Sequence, residues 1–446
     1  MLSVQAPLIT DAAPYSSAYV NGVYLDALGR AADPAALDWD VAQLDQGEST
    51  QAIAQVVANS PEFATDLVES AYRQYLGRDA DPVALTYWVD ALKAGFRDEQ
   101  VIAALVSSDE FYARAGGTDS DWVVAAYQAV LGRPPEASAV EWAVGELSAG
   151  VSRDAVAYDL ASSSEHEEQV VRDVYSHYLQ TTPGAGDLDN WAASLSSGQV
   201  TVQSLAGDVM STNAFYEAQT GVPPTIVPVS GAGAAWTARN EQIATAPDRE
   251  QAQVVFLGDS ITQQWSSVGQ SVWAQNYADL NAFNAGIGGD QTQNVLWEIE
   301  NGDLNGMAPK VVVLMIGIND IGSDDSPQET AEGVAAVVEE LQQRLPDTKV
   351  LVLGILPAAL PGDDLMPNIT AANQEIAGLA NGQSVFFLDM DPAFLNPDGT
   401  INTALHQSEL VHLSTAGYVV WAQTMKPELD LLLSLAGGDG VPWSYW

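Results

Sequence analysis

The chain of 446 residues is too long for one ordinary hydrophobic core, so two or three domains are expected. Its 15 Lys and Arg against 59 Asp and Glu leave a net charge of −44, which repels phosphate backbones and anionic membranes and argues against nucleic acid as a partner. With no cysteine, disulfides, thiolate zinc sites and cysteine nucleophiles are excluded.

The opening MLSVQAPLITDAAPYSS has neither a basic region nor a long apolar core, so residues 1–18 read as a flexible terminus and not as a Sec signal peptide. No run reaches about 18 uninterrupted apolar residues, so no spanning helix is expected. A repeat follows over residues 19–220. Tyr24 to Arg30 is echoed by Tyr72 to Arg78 and Tyr127 to Arg133, each ending Leu-Gly-Arg, with a tryptophan after each at Trp39, Trp88 and Trp142. A fourth, degenerate copy offers Tyr178-Leu179 and Trp191. Each unit closes on a small polar turn and an aromatic or His, at 60–63, 108–111, 163–166 and 211–215. The period fits stacked helical units, giving an all-α domain of about four repeats.

Local chemistry supports the helices. Asp33 and Asp81 stand as N-caps before Pro34 and Pro82, and Gly47, Gly95, Gly150 and Gly198 fall where helices stop. The tryptophans and the Leu-Gly-Arg positions read most simply as core, with the arginine pairing an acidic neighbour or capping a helix end. The pattern Tyr-x-x-x-Leu-Gly-Arg…Trp with a closing Ser-x-Glu-Phe resembles an uncharacterised helical repeat domain of bacterial secreted and surface proteins. That resemblance implies exported, often calcium-linked company and no agreed activity. Calcium as a partner has no ligand-loop support here: Asp119-Ser120-Asp121 and Ser323-Asp324-Asp325 lack the spacing and read as solvated faces.

Residues 221–235, rich in proline and glycine, read as an extended spacer. From 236 to 435 the texture alternates between strand and helix. Apolar runs at 253–257, 311–316, 349–355 and 384–388 predict central strands, 281–285 a shorter one, and 327–345 a helix opened by Pro327. This βαβ alternation predicts a parallel sheet with helices on both faces. Residues 436–446 read as a tail.

The chemistry gathers in VVFLGDSITQQW, 254 to 265, where an apolar run ends in Gly258-Asp259-Ser260. A buried strand would there deliver one hydroxyl to the C-terminal edge of the sheet, where open α/β folds keep reactive groups. Of the two histidines in this half, His406 and His412, the second lies in Ser408-Glu409-Leu410-Val411-His412, just before a predicted C-terminal helix. It can take a serine proton, with Glu409 holding the other ring nitrogen; taken alone, it is equally a surface histidine in an acidic turn. Donors for an oxyanion are offered by Asn284 to Asp290 (NAGIGGD) and by Gly317-Ile318-Asn319-Asp320. The glycines also make a tight turn, and Asn319 also suits one. A dinucleotide fingerprint fails because Gln291 replaces the last glycine, and the Gly-x-Ser-x-Gly elbow is missing.

The ordered blocks GDSIT, NAGIGGD, GIND and ELVHL resemble the GDSL/SGNH hydrolases, and NAGIGGDQTQNVLWEIENGDL with VVVLMIGIND is most similar to their platelet-activating-factor acetylhydrolase-type branch. The resemblance implies a three-layer α/β flavodoxin-like fold, no metal or cofactor, and ester hydrolysis through an acyl-enzyme. Ser260 would be the nucleophile and, through its N–H, an oxyanion donor beside Gly289 N–H and the Asn319 amide, with Asp259 and Asp290 behind them. His412 would be the base. Where the family has Asp, this chain has Glu409, which either substitutes or leaves a Ser–His dyad.

The expected function is release of short acyl, especially acetyl, groups from glycan or lipid esters, with the repeats contacting a cell surface or polymer. A lipase or arylesterase for longer chains, or a degenerate adhesion module, are the alternatives. Export without a Sec signal fits the repeats, charge and composition; zero cysteine also suits a cytoplasmic protein.

Overall fold

The computed structural model describes residues 12–247, 249–323, 325–360 and 364–436. Residues 1–11 of the expected flexible terminus and 437–446 of the expected tail lie outside the described residues. Two compact units emerge. One comprises Ser17–Val41 and Glu48–Gly221; the other comprises Ala42–Gly47 and the chain from Val222 onward, together with the residues before Ser17.

The first unit is built from helices. Order begins earlier than expected: the helix Ala13–Leu28 forms because it buries Tyr19, Val20 and Val23. The closing motifs prove to be N-caps. Hydroxyls of Ser60, Ser108, Ser163 and Thr212 accept the backbone N–H of Phe63, Phe111, His166 and Phe215 at 3.1–3.3 Å, each worth about 1 kcal/mol. Asp33 and Asp81 cap as expected, and Gly47, Gly95, Gly150 and Gly198 end helices in the left-handed region.

The repeated arginine joins two motifs of its repeat. Arg30, Arg78 and Arg133 pair with Glu62, Glu110 and Glu165 of the closing motifs at 2.6, 2.8 and 2.5 Å. Each guanidinium also lies over the tyrosine that opens its own motif, 5.6, 5.3 and 5.8 Å from the ring centre. These pairs are partly exposed, so each adds only about 0.2–1 kcal/mol. The core carries the rest: Tyr72, Leu76, Val106, Val123, Ala126 and Leu131 are buried, and fully buried Trp122 donates its indole N–H to Val106 O at 2.9 Å.

Trp88 packs half-buried against that core, as expected, but Trp39 and Trp142 stand largely outside it. Trp39 is 66% exposed, Trp142 51%, and Trp88 half-buried. They sit on outer, thinly covered helices: Pro82–Lys93 fully buries only Leu92, and Ala137–Ser148 only Ala143. Amphipathic spacing marked a helix correctly but could not say how much of it a neighbour would cover.

The second unit is a five-stranded parallel sheet in the order β2-β1-β3-β4-β5, with β1 Val254–Gly258, β2 Ala282–Asn284, β3 Val311–Met315, β4 Lys349–Leu353 and β5 Val385–Leu388. Every expected strand is present. β1 and β3 are buried throughout, which is why they read as unbroken apolar runs. Helices Thr292–Asn301, Pro327–Arg344 and Met366–Ala377 pack in one row, and Gln270–Asn276 packs with Thr415–Ala436, completing three layers. An aromatic cluster fills one face: Trp265 stacks edge-on with Trp421 (5.1 Å) and Tyr418 (4.5 Å), and Phe256 of β1 meets Trp273 (4.9 Å). No helix among the described residues is long and apolar enough to cross a membrane.

The expected spacer is instead part of this unit. Thr225, Ile226 and Val227 are buried; Thr225 Oγ1 donates to Glu329 O (3.0 Å) and its carbonyl lies 3.0 Å from Thr292 Oγ1. Val229 N–H bonds Gln293 O (3.1 Å), and a helix is under way by Ala234. The prolines fix an extended strap whose apolar side chains find cover, so it is packed and not free. Ile226→Ala should therefore lower the unfolding free energy by about 2–5 kcal/mol in denaturant titrations; a midpoint within error of wild type would return the segment to a spacer.

Candidate active site

β1 lies where the strand order reverses, its neighbours leading away in opposite directions, and its carboxyl end opens on the crevice such a reversal creates. Gly258 ends it with φ +151, and a Cβ there would fall 2.0 Å from Met315 O of β3. Only glycine allows this approach. Asp259 then caps the short helix Ser260–Gln263, its Oδ1 accepting Ile261 N–H at 2.8 Å. Ser260 stands at the first helical position, where a backbone N–H has no intrahelical acceptor.

The histidine arrives from a loop held on several sides. Gln407 N–H donates to His412 O (2.7 Å), Gln407 Nε2 reaches Gln264 Oε1 (2.8 Å), and Ala359 N–H reaches Leu410 O (3.3 Å). Leu410 adopts φ +61, a left-handed geometry uncommon for a branched residue, directly between Glu409 and His412. The structure brings all three polar groups together: His412 Nε2 is 2.9 Å from Ser260 Oγ, and His412 Nδ1 is 2.8 Å from Glu409 Oε1. Glu409 also accepts His412 N–H at 3.3 Å. Partial burial raises the Glu409 carboxyl, but backbone N–H groups and His412 outweigh it and hold it below its usual range. The remaining histidine, His406, is buried, with its ring nitrogens facing Asn402 O and Pro357 O. It braces the loop.

On the other side of Ser260 runs the NAGIGGD turn. A Cβ on Gly288 would lie 3.6 Å from Ser260 Cβ, so the turn passes directly beside the hydroxyl. Gly288 N–H is already taken by Gln263 Oε1 at 2.7 Å. Gly289, at φ +91, carries the next N–H. Asn319 Nδ2 donates to Asp290 O at 2.8 Å, which fixes the amide and leaves its second N–H for a ligand.

Beneath these donors lies a group of buried acids. Asp290 Oδ1 accepts Trp236 Nε1 at 2.6 Å; Asp320 Oδ1 accepts Thr292 Oγ1 at 2.6 Å and its N–H at 3.1 Å. Burial pushes Asp259 up to about 7 and Asp290 and Asp320 to about 6. Glu298 is fully buried beside Asp290, and neither its oxygens nor Asp290 Oδ2 meet a protein donor. Burial and the neighbouring Asp290 favour the neutral form of Glu298. Asp325, expected on a solvated face, is also buried: its N–H donates to Asp320 O (3.1 Å) and Gln291 Nε2 approaches its carboxylate (3.4 Å). Asp324 lies outside the described residues. Among the described residues no three His, Asp or Glu side chains group as metal ligands.

Gln263, Trp236, Thr292 and Glu298 escaped the sequence reading. Gln263 lies three residues past the serine, on the exit helix, and that spacing was the one available signal. The others meet the site only through tertiary packing.

A hydroxyl, an imidazole and a carboxylate in one hydrogen-bonded line, set at a sheet edge beside oriented N–H donors, form a serine hydrolase type of arrangement. Residues 256–420 match the GDSL-like Lipase/Acylhydrolase family. The human platelet-activating factor acetylhydrolase IB subunit alpha1 is 34% identical over 223 residues, covering 49% of this chain and 93% of its own length. The rat alpha2 subunit is 31% identical, covering 45% of this chain and 84% of its own. A crystal structure of a GDSL-like lipase from Bacteroides thetaiotaomicron VPI-5482 is 21% identical with a TM-score of 0.37, over 44% of this chain and 96% of that one. The chain belongs to the GDSL-like lipase/acylhydrolase family and is a hydrolase of the carboxylester type. Residues 64–115 and 102–170 match a domain of unknown function, DUF4214.

The buried acids make one measurable demand. Burial first, then Asp290, holds the Glu298 carboxyl well above its usual range. The unfolded chain ionises it near about 4.3. The stability supplied by the neutral form is thus complete at acid pH and is lost as pH rises toward the folded value. Glu298→Gln stays neutral throughout, so its melting temperature should gain on wild type from about pH 5 to about pH 8. A constant or shrinking gap in circular-dichroism melts would show Glu298 to be ionised in the fold.

Proposed function

We propose that the protein removes short acyl groups, acetyl above all, from glycan or lipid esters by a two-step serine mechanism, and that the helical unit serves to hold the enzyme on a polymer or surface. The observation that carries the chemistry is the 2.9 Å approach of Ser260 Oγ to His412 Nε2, with Glu409 on the far ring nitrogen. His412 takes the hydroxyl proton as Oγ attacks the ester carbonyl. The oxyanion is received by the N–H groups of Ser260 and Gly289 and the free N–H of Asn319. His412 then protonates the departing alcohol, and a water, deprotonated by the same ring, releases the acid and restores Ser260. The carboxylate of Glu409 supports the imidazolium formed in each step. The extra methylene relative to aspartate is absorbed by the loop, since the carboxylate still reaches Nδ1. The acetyl preference is supported by the acetylhydrolase names of the relatives at 31–34% identity.

A series of p-nitrophenyl esters tests this. Rates should be highest with acetate and fall with chain length; a rise with length would make the enzyme a lipase or arylesterase for longer acyl groups. Ser260→Ala should abolish turnover, and residual activity equal to wild type would remove the mechanism altogether. Asn319→Ala should lower kcat about 10²–10³-fold, the cost of one oxyanion donor. Glu409→Gln should lower kcat with KM nearly unchanged, and by less than the ~10⁴-fold of a buried triad carboxylate, because Glu409 is 42% exposed and water can share its task.

A further inference from the structure

The helical unit carries a partly exposed aromatic surface. Trp39, Trp88 and Trp142 recur at the same place in three successive repeats, the last two on helices that each fully bury a single residue. Tyr87 is 59% exposed and braces Trp88 edge-on at 5.0 Å, and Phe96 is 41% exposed. Single exposed apolar residues are ordinary, but indoles shown at one repeating position are not.

At Trp88 this surface deepens into a cleft of about 370 Å³, within the size range of small-molecule sites. Trp88, Phe96 and Tyr158 line it over Ala104, with Gln100 and Asp154 as the polar members. Gln100 is pre-set. Its Oε1 accepts Arg97 N–H at 3.0 Å as part of a helix cap, and no acceptor among the described residues takes its Nε2, so the amide NH₂ is left as a donor. Asp154 makes only a long 3.5 Å contact with Ser107 Oγ, which leaves its carboxylate open as an acceptor.

These groups match a molecule with a flat C–H face and a hydroxylated edge. The C–H bonds of a pyranose face carry partial positive charge and suit the negative face of an indole or phenol ring. The hydroxyls can meet Gln100 as acceptors and Asp154 as donors. An anionic polymer is repelled by Asp154 and by the net charge of −44. A lipid tail would leave both polar groups unsatisfied, and a quaternary ammonium would use the rings and the carboxylate while leaving the amide unpaired.

We infer that this cleft is a binding site for a neutral polysaccharide, with Trp39 and Trp142 offering further ring platforms in the flanking repeats. The inference gives the holding role of the helical unit a location and a ligand class, and it stands or falls separately from the ester chemistry. The test is native affinity electrophoresis of the full-length protein in gels containing xylan, mixed-linkage glucan or galactomannan, or no polymer. Wild type should be retarded by at least one of them. Trp88→Ala and, at an exposed position that does not threaten folding, Asp154→Ala should each weaken the dissociation constant about tenfold or more, with p-nitrophenyl acetate turnover unchanged. Migration unaltered in every gel overturns the proposal, as does retardation that both variants retain. Release of bound protein by millimolar choline chloride would overturn it in favour of a quaternary ammonium ligand. Loss of ester turnover in Ser260→Ala with retardation intact is expected and separates the two sites.

Discussion

Everything in the catalytic unit depends on how closely two parallel strands approach at their carboxyl ends. Gly258 of β1 rests against the Met315 carbonyl of β3, with no space for a Cβ. That contact lets the chain turn at once into the helix Ser260–Gln263 and stands the serine on the rim of the sheet. Any larger residue would force the strands apart at the point where the order reverses, moving Ser260 away from the loop that brings His412. The turn is further tied from both sides, by Tyr418 Oη on Ile261 O at 2.6 Å and by Gln407 on Gln264. The serine and the histidine, 152 residues apart in sequence, are thus cross-linked through neighbours as well as through their own hydrogen bond.

Behind the donors the fold accepts a cost. Four carboxyls, Asp259, Asp290, Asp320 and Glu298, are buried within one region, and burial raises each of them. Each of the three aspartates is used to hold backbone or side chain in place: Asp259 caps the serine helix, Asp290 anchors Trp236 while its carbonyl aligns Asn319, and Asp320 holds Thr292. In the proposed mechanism, rigid donors need no reorganisation when charge develops on a substrate, an advantage set against the desolvation.

The helical unit solves a different problem. Its repeats share one device beside their common core: a hydroxyl cap, an arginine reaching from the Leu-Gly-Arg turn to the capped helix's glutamate, and a tyrosine ring under that arginine. The staple lies on the outside, the core between the helices holds aliphatic side chains with Tyr72, Phe111 and Trp122, and Trp39 and Trp142 stand largely on the surface.

Much of this was legible in the residues. Strand positions followed from unbroken apolar runs, the parallel order from their alternation with helices, and the three side chains that meet at the sheet edge, Ser260, His412 and Glu409, from ordered motifs, because each depends on local spacing. What the linear pattern could not carry was cover. Whether Trp39 is shielded, whether the Pro-Gly stretch at 221–235 is packed, and whether Asp325 is dry depend on which distant segment lies against them. Residue type and periodicity determined which faces were apolar and which groups were reactive. Only the tertiary structure decided which of those faces were buried and which reactive groups met, because burial and a 2.9 Å contact are properties of two segments together and neither is written in one.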